Sequence, residues 1–467
     1  MQYWTSKPLH ASAYNVIIIQ SRREVTPIML VFILNTDHHE LALTLTEHSV
    51  RKTLADAQVI SVHADYADVM NREIREDSGT FFITLFAGER IADHFLEEMQ
   101  GWLRHLPGDS AGIALMPMIS ESKQTISIPR GPVIWRKEAI LTGDNPGFLT
   151  ARHLPFEHYI LLEMHFRLSP TWHWNEIRTD SWKCRHNQSA KWKNIREEWN
   201  CLYPILAAKP SAGSSSDHPL FSVVICTYNN AGYLGWAIHS VLVQTFPKWE
   251  LLIVDDGSQD DTACILGEIT DIPHVSILRN EVNRGKSFCL NRALSEAAGS
   301  WLVELDADDW LTPDCLAVFA DKLNDITKQG AYYADHYEWF ERSNKQLVFR
   351  KKKTALSTFS PEMLLEQAYP LAPRCYHVQS LKELGGWWES DPFGGRLYED
   401  FQMLIRISLK QPVQHVDKAL YHRRLRKGSM TSSNHTCYES WKSWFHSVIE
   451  RGQGLKKSES ERSDYKS

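Results

Sequence analysis

From Pro219 onward, short apolar runs rich in β-branched residues alternate with segments whose apolar residues fall at helical spacing, and few folds accept that order. The runs 221–226, 251–254, 275–278 and 301–305 have the composition of buried strands. Between them lie three helical patterns: Leu234, Ala237, Ile238, Val241 and Leu242; then Ile265, Leu266 and Ile269; then Leu290, Ala293, Leu294 and Ala297. Asn230 is placed to cap the first. Strand–helix alternation with short connections implies an α/β fold with a doubly wound, mostly parallel sheet and right-handed crossovers.

The strands close on polar or acidic residues: Thr227-Tyr228-Asn229-Asn230, then Asp255-Asp256-Gly257-Ser258, then Asp306-Ala307-Asp308-Asp309. Such sheets bind ligands beyond the carboxyl ends of their strands. Two carboxylates two residues apart offer hard oxygen ligands that suit Mg²⁺ or Mn²⁺ shared with the phosphates of a substrate. The plainer reading is a helix start, with Asp309 or Thr312 capping a helix over 313–323. A calcium EF-hand is excluded, because its sixth and twelfth positions hold Leu311 and Ala317 instead of Gly and Glu. No Gly-x-Gly-x-x-Gly or Gly-Lys-Ser/Thr loop follows a strand, which disfavours dinucleotide and P-loop chemistry.

In order, Val223-Val224-Ile225-Cys226-Thr227-Tyr228-Asn229, Val254-Asp255-Asp256-Gly257-Ser258, Asn283-Arg284-Gly285 with Asn291, and Glu304-Leu305-Asp306-Ala307-Asp308-Asp309-Trp310 resemble glycosyltransferase family 2. Tyr398-Glu399-Asp400-Phe401 is similar to that family's Glu-Asp element. Leu420-Tyr421-His422-Arg423 with Gly428-Ser429-Met430 is similar to its closing segment. The resemblance covers roughly residues 219 to 435. It implies a nucleotide-sugar-binding GT-A fold and an inverting transfer from a nucleoside-diphosphate donor, UDP expected, to a hydroxyl acceptor. On that resemblance Asp256 reads the base, and Thr227, Tyr228, Gly285 and Asn291 line the same donor site. Asp306 faces ribose and metal, Asp308 binds the metal, and His422 or Arg423 adds positive charge at the diphosphate. Asp400 is the expected general base. A helix over 398–409 offers a rival role for it, a favourable charge at a helix start. Glu399 is assigned to structure or to acceptor contact, and Gly394-Gly395 to a loop that approaches the substrates.

The first half echoes the second. Residues 77–85 mirror the approach to the acidic run, with Phe86 where Asp306 stands and Gly88 where Asp308 stands. The run 29–34 would be the first strand of this copy, and Asn35-Thr36-Asp37 its polar exit. The stretch 156–160 matches the surroundings of Asp400, with His158 in place of the base. A degenerate copy of the same fold is therefore expected over 1–205, joined by a linker at 206–218 to a catalytic domain at 219–451, with a disordered tail at 452–467. Dimerisation of the chain, acceptor docking and scaffolding are the uses open to that copy. Two generic α/β halves that merely look alike are the rival account.

At 467 residues two domains are expected, and the 43% hydrophobic and 23% charged content is that of a soluble globular chain. A net charge of −6 argues against nucleic-acid binding. No apolar stretch reaches transmembrane length, and eight scattered cysteines fit reduced thiols in a cytoplasm. The basic run 350–353 reads as a solvated loop that an anionic acceptor could meet. Trp441, Trp444 and Phe445 read as an amphipathic helix. Donor specificity is expected in loops at 332–340 and 387–395; the acceptor, whether glycan, lipid-linked or protein, is open. The rival functions are a nucleotidyltransferase on a similar sheet and an inactive carbohydrate- or partner-binding module.

Overall fold

The computed structural model describes residues 29–35, 39–118, 132–142, 147–148, 160–168, 171–184, 198, 200–206, 208, 218–323, 330–341, 347–426 and 437–463. The chain forms two compact units, Met1–Trp192 and Lys193–Ser467. Thr36, Asp37, His158, Gly428, Ser429 and Met430, and most of the expected linker, lie outside the described residues.

Strands of the first unit are β1 (Leu30–Leu34), β2 (Gln58–Val62), β3 (Phe81–Phe86), β4 (Glu89–Ile91), β5 (Ser110–Pro117), β6 (Val133–Arg136), β7 (His173–Thr179) and β8 (Trp182–Cys184). Those of the second are β9 (Phe221–Thr227), β10 (Trp249–Asp255), β11 (Val275–Arg279), β12 (Trp301–Asp306), β13 (Trp310–Leu311), β14 (Ala331–Glu341), β15 (Leu347–Lys353), β16 (Arg374–His377) and β17 (Val413–Leu425). The second sheet runs β11-β10-β9-β12-β16-β14-β17-β13, with β15 on β14. It is mixed rather than mostly parallel: β9 to β12 follow parallel crossovers, whereas β16 runs antiparallel to both β12 and β14.

Alternation along each central strand divides the core into two layers. Val223 and Ile225 pack with Leu234, Val241, Leu266, Leu316 and Phe319 on one face. On the other face Val224 packs with Leu290, Leu364, Phe401, Leu404 and Trp441. The all-apolar strand runs in the sequence follow from this coverage of both faces. The helix that bears Trp441 and Phe445 spans Tyr438–Ser463, so helical backbone continues past Gly452, where a disordered tail was expected.

Three further expectations give way. The basic run 350–353 is strand β15, an edge strand where charged side chains stay solvated. Residues 331–341 are the largely buried strand β14 rather than a specificity loop. Segment 198–206 belongs to the second unit; Leu202 and Ile205 are buried, and Phe349 N donates to the Glu198 carboxylate at 2.9 Å.

The first sheet runs β2-β1-β3-β6-β5-β7. Its order and directions equal those of β10-β9-β12-β16-β14-β17. In both, two parallel pairs lead to an antiparallel pair, then a second antiparallel pair, then a parallel one. The short antiparallel pair β4–β8 likewise matches β13–β17. Register carries the match to single residues. Phe86 pairs with Leu34 as Asp306 pairs with Cys226, and Thr84 pairs with Val133 as Glu304 pairs with Arg374. Among the described residues, the first sheet has no counterpart of edge strand β11.

Candidate active site

Four segments converge at the carboxyl end of β12. Asp306 ends that strand and Asp308 lies in the turn before β13. Lys286 opens the helix Lys286–Glu296, Arg374 begins β16, and Glu399 and Asp400 open the helix Glu399–Ser408. Lys286 Nζ lies 2.5 Å from Asp306 Oδ1, 2.9 Å from Glu304 Oε1 and 2.8 Å from Glu399 Oε1. The Arg374 guanidinium is nearly buried and forks onto Glu304, with Nε at 3.0 Å from Oε2 and Nη2 at 3.0 Å from Oε1. Its Nη1 donates to Asp400 Oδ2 at 3.0 Å, and Nη2 approaches Asp306 Oδ2 at 3.6 Å. Four carboxylates thus share two cations.

That imbalance sets the protonation chemistry. Burial would raise Asp306, but Lys286 and Arg374 outweigh it and hold the carboxyl below its ordinary range. Burial raises Asp400, with Arg374 opposing. Glu399 is pushed up to about 7 by burial against the pull of Lys286, with Asp400 and Glu304 adding to the rise. Burial would lower Lys286; Asp306, Glu304 and Glu399 instead keep it firmly charged.

Asp308 Oδ2 accepts from Arg426 Nε at 2.7 Å, and Arg426 also reaches Asn230 Oδ1 at 3.2 Å. Asn230 therefore makes no side-chain cap, contrary to expectation. The next acid, Asp309, is buried and accepts from Arg424 N at 2.6 Å; burial and the neighbouring Asp308 and Asp306 push its pKa well up. The helix beyond it is Cys315–Lys322, with Asp314 at its cap, so neither Asp309 nor Thr312 caps it. Asp306 and Asp308 keep 32% and 20% of their side-chain surface exposed, in contrast to Asp309. Two reachable hard-oxygen donors, Asp306 beside Lys286 and the Tyr421 hydroxyl and Asp308 beside Arg426, fit a divalent ion in exchange for Lys286 and Arg426.

The structure places the other expected site residues unevenly. Thr227, buried at the end of β9, has a hydroxyl with no hydrogen-bond partner among the described residues, and Tyr228 beside it is exposed. Arg423 lies on β17 close enough to stabilise ionised Asp306, and it forms no ion pair among the described residues. Asp256 is committed to its neighbours. Its oxygens accept from Asn280 Nδ2 at 2.7 Å and from the N–H groups of Arg284 and Gly285, each at 2.8 Å, which shapes the 280–285 loop. Gly285 is required there: its φ is 95° and a Cβ would meet Arg396 Cγ at 2.9 Å. Gly395 likewise approaches the helix at Ser287.

Two expectations are corrected. His422 is fully buried, takes an indole N–H from Trp339 at 3.0 Å and stacks on Trp310. Burial lowers its pKa to about 3, so it is neutral and adds no charge at a diphosphate. Asn291 ties down the 387–389 loop instead of lining a donor site: its amide donates to Trp387 O and Glu389, and its carbonyl accepts from Trp387 N.

Lys286, Arg374 and Arg426 had not been foreseen. Glu304 offers the one sequence signal, a glutamate inside an otherwise apolar strand, which demands a buried cationic partner.

Residues 222–377 match the family model described as glycosyl transferase family 2. The match to glycosyl transferase family 2 thus falls within the C-terminal unit. Glycosyltransferase GlyA of Streptococcus pneumoniae is 24% identical over 246 residues, 49% of this chain and 33% of that protein. Chondroitin synthase of Escherichia coli is 28% identical over 223 residues, 44% of this chain and 29% of that protein. The chain thus spans about a third of the length of these relatives. A structure of S. aureus TarS 1-349 with UDP-GlcNAc is 22% identical over 46% of this chain and 60% of that one, with a TM-score of 0.37.

Proposed function

We propose that the family 2 unit is a metal-dependent inverting glycosyltransferase, moving a sugar from a nucleoside-diphosphate donor to a hydroxyl of a glycan or glycan precursor. One observation carries the reading: Asp306, one of a metal-competent carboxylate pair, and the raised, buried carboxyl of Asp400 meet on the Arg374 guanidinium at the carboxyl end of a parallel strand. A divalent ion held by Asp306 and Asp308 would neutralise the charge that grows on the leaving diphosphate. Arg423, near Asp306 and without an ion pair among the described residues, supplies further positive charge on that side. Thr227 and Tyr228 border the nucleotide, the buried hydroxyl of Thr227 being a polar group left for a ligand. Asp256 acts one step back, by fixing the turn at Gly285.

Asp400 takes the proton of the acceptor hydroxyl as that oxygen attacks the anomeric carbon from the face opposite the leaving group. A carboxyl raised by burial is a better base than an exposed one, provided the pH lies above its pKa. UDP is the expected nucleotide, and chondroitin synthase among the relatives agrees with a glycan acceptor. A cytoplasmic setting agrees with the free cysteines and with the absence, among the described residues, of any helix long and apolar enough to cross a membrane.

The matching sheet of the first unit is a second copy of the fold with its chemistry removed. Phe86 and Gly88 replace the metal carboxylates, and only Glu89, buried like Asp309, keeps an acid there. Dimerisation, acceptor docking or scaffolding is the role left to it. Screening nucleotide sugars for Mn²⁺-dependent donor hydrolysis tests the reading; no hydrolysis of any donor together with no UDP binding would make this a non-catalytic module.

A further inference from the structure

The pair Glu304–Arg374 is buried, with 1% and 4% of its side-chain surfaces exposed, and its members stand directly opposite across the antiparallel β12–β16 ladder. Burying two charges costs several kcal/mol per ion before their attraction returns it, so such a pair is weak evidence of a stability role. The molecule contains its own control. At the same register position of the first sheet, Thr84 faces Val133, both fully buried, in strands of the same order and direction. That sheet closes without charges at this point. The position is also the one from which the second unit reaches Asp400, because Arg374, fixed on Glu304 by two of its nitrogens, extends the third to Asp400 Oδ2.

We infer that Arg374, anchored by Glu304, is a positioning residue that aims the Asp400 carboxylate at the acceptor hydroxyl and keeps it tied to the donor-side Asp306. The inference rests on the proposed transferase reading. A planar guanidinium suits the task, since it addresses three carboxylates at fixed angles and cannot lose its proton. Besides Arg374, the charged and titratable groups acting on Asp400 are Glu304 and Asp306 from β12, Tyr376 from β16, Lys286 from its helix, and Glu399 and Tyr438. Lys286 reaches Glu304, Asp306 and Glu399, not Asp400, which leaves Arg374 as its direct ion-pair partner among the described residues.

The double variant Glu304→Thr/Arg374→Val copies the first sheet and makes the test. It is expected to fold with the wild-type circular dichroism and to bind UDP with Mn²⁺ within about tenfold of wild type. Its turnover is expected to fall about 100-fold, on the scale of a misaimed catalytic group. The acid limb of its rate–pH profile should move to higher pH, because the lost pull of Arg374 on Asp400 outweighs the lost push of Glu304, and Lys286 is left to oppose burial. Arg374→Lys keeps one charge without the fork, so it should restore the pH limb but little of the turnover. Failure of the double variant to fold would overturn the inference by making the pair structural, as would unchanged turnover and pH limb in a folded variant. If wild type itself neither binds UDP nor transfers any sugar, the transferase reading falls first; loss of UDP binding in the variant alone moves Arg374 to the donor side and overturns only this inference.

Discussion

Asp400 separates two explanations of one acidic position. As a favourable charge at a helix start it would tolerate amide replacement; as the base it would not. Asp400→Asn keeps the volume and the donation from Phe401 N to the Oδ1 position, so donor binding should persist while transfer falls by about 10² to 10⁴. Isothermal titration with UDP and Mn²⁺, run beside a transfer assay on the same preparation, checks this; near-normal transfer would remove Asp400 from the base role. Residues whose role depends on where a strand ends were legible in the sequence. Asp306 at the end of β12 and Asp400 in the first turn of a helix both reach Arg374, while Asp308, two residues beyond Asp306, is held by Arg426. Roles that depend on which hydrogen-bond partner wins were not. Asp256, His422 and Asn291 have the right residue types at the right places, yet nearby N–H groups, an indole and a loop backbone claim them.

Among the elements, β12 and β4 show what a buried glutamate can do in two settings. Glu304 interrupts an apolar strand and is answered 70 residues later by Arg374, a pairing set by antiparallel register. No local pattern encodes that register, because the excursion through β14 and β15 precedes β16. Glu89, the first residue of β4, is buried with one backbone donor, Phe86 N at 2.8 Å, and no ion pair among the described residues. Burial pushes its pKa up to about 8, against a partly compensating hydrogen bond. A carboxyl raised in the folded state binds its proton there at pH values where the unfolded chain has released it. Stability is therefore fully present below the ordinary carboxylate pKa near 4.5 and falls as pH rises to about 8. Glu89→Gln should flatten that decline and raise the melting temperature at pH 8.5 by about 2–4 °C. Thermal melts at pH 5 and 8.5 decide it: an unchanged difference between the two pH values would show that Glu89 does not govern the slope. The basic run on β15 teaches the complementary lesson, since a solvated edge strand and a solvated loop have the same composition.

For the whole molecule, the two sheets repeat one strand order, and the α/β class was readable from periodicity, whereas the units divide at Trp192/Lys193, ahead of the expected linker. The antiparallel β16 was not, because a four-residue strand with Arg at its head carries little apolar signal. The echo between the halves was visible as paired segments, and register now aligns Phe86 with Asp306. Only the second of the two sheets carries, at this position, the carboxylates that could hold a cation. The most direct test is a calorimetric titration of UDP into the full chain, with and without Mn²⁺, on wild type and on Asp308→Ala. The account predicts binding that requires Mn²⁺ in wild type and weakens at least about 30-fold, or about 2 kcal/mol, in the variant. Equal UDP affinity with and without the ion, or in the two proteins, would contradict it.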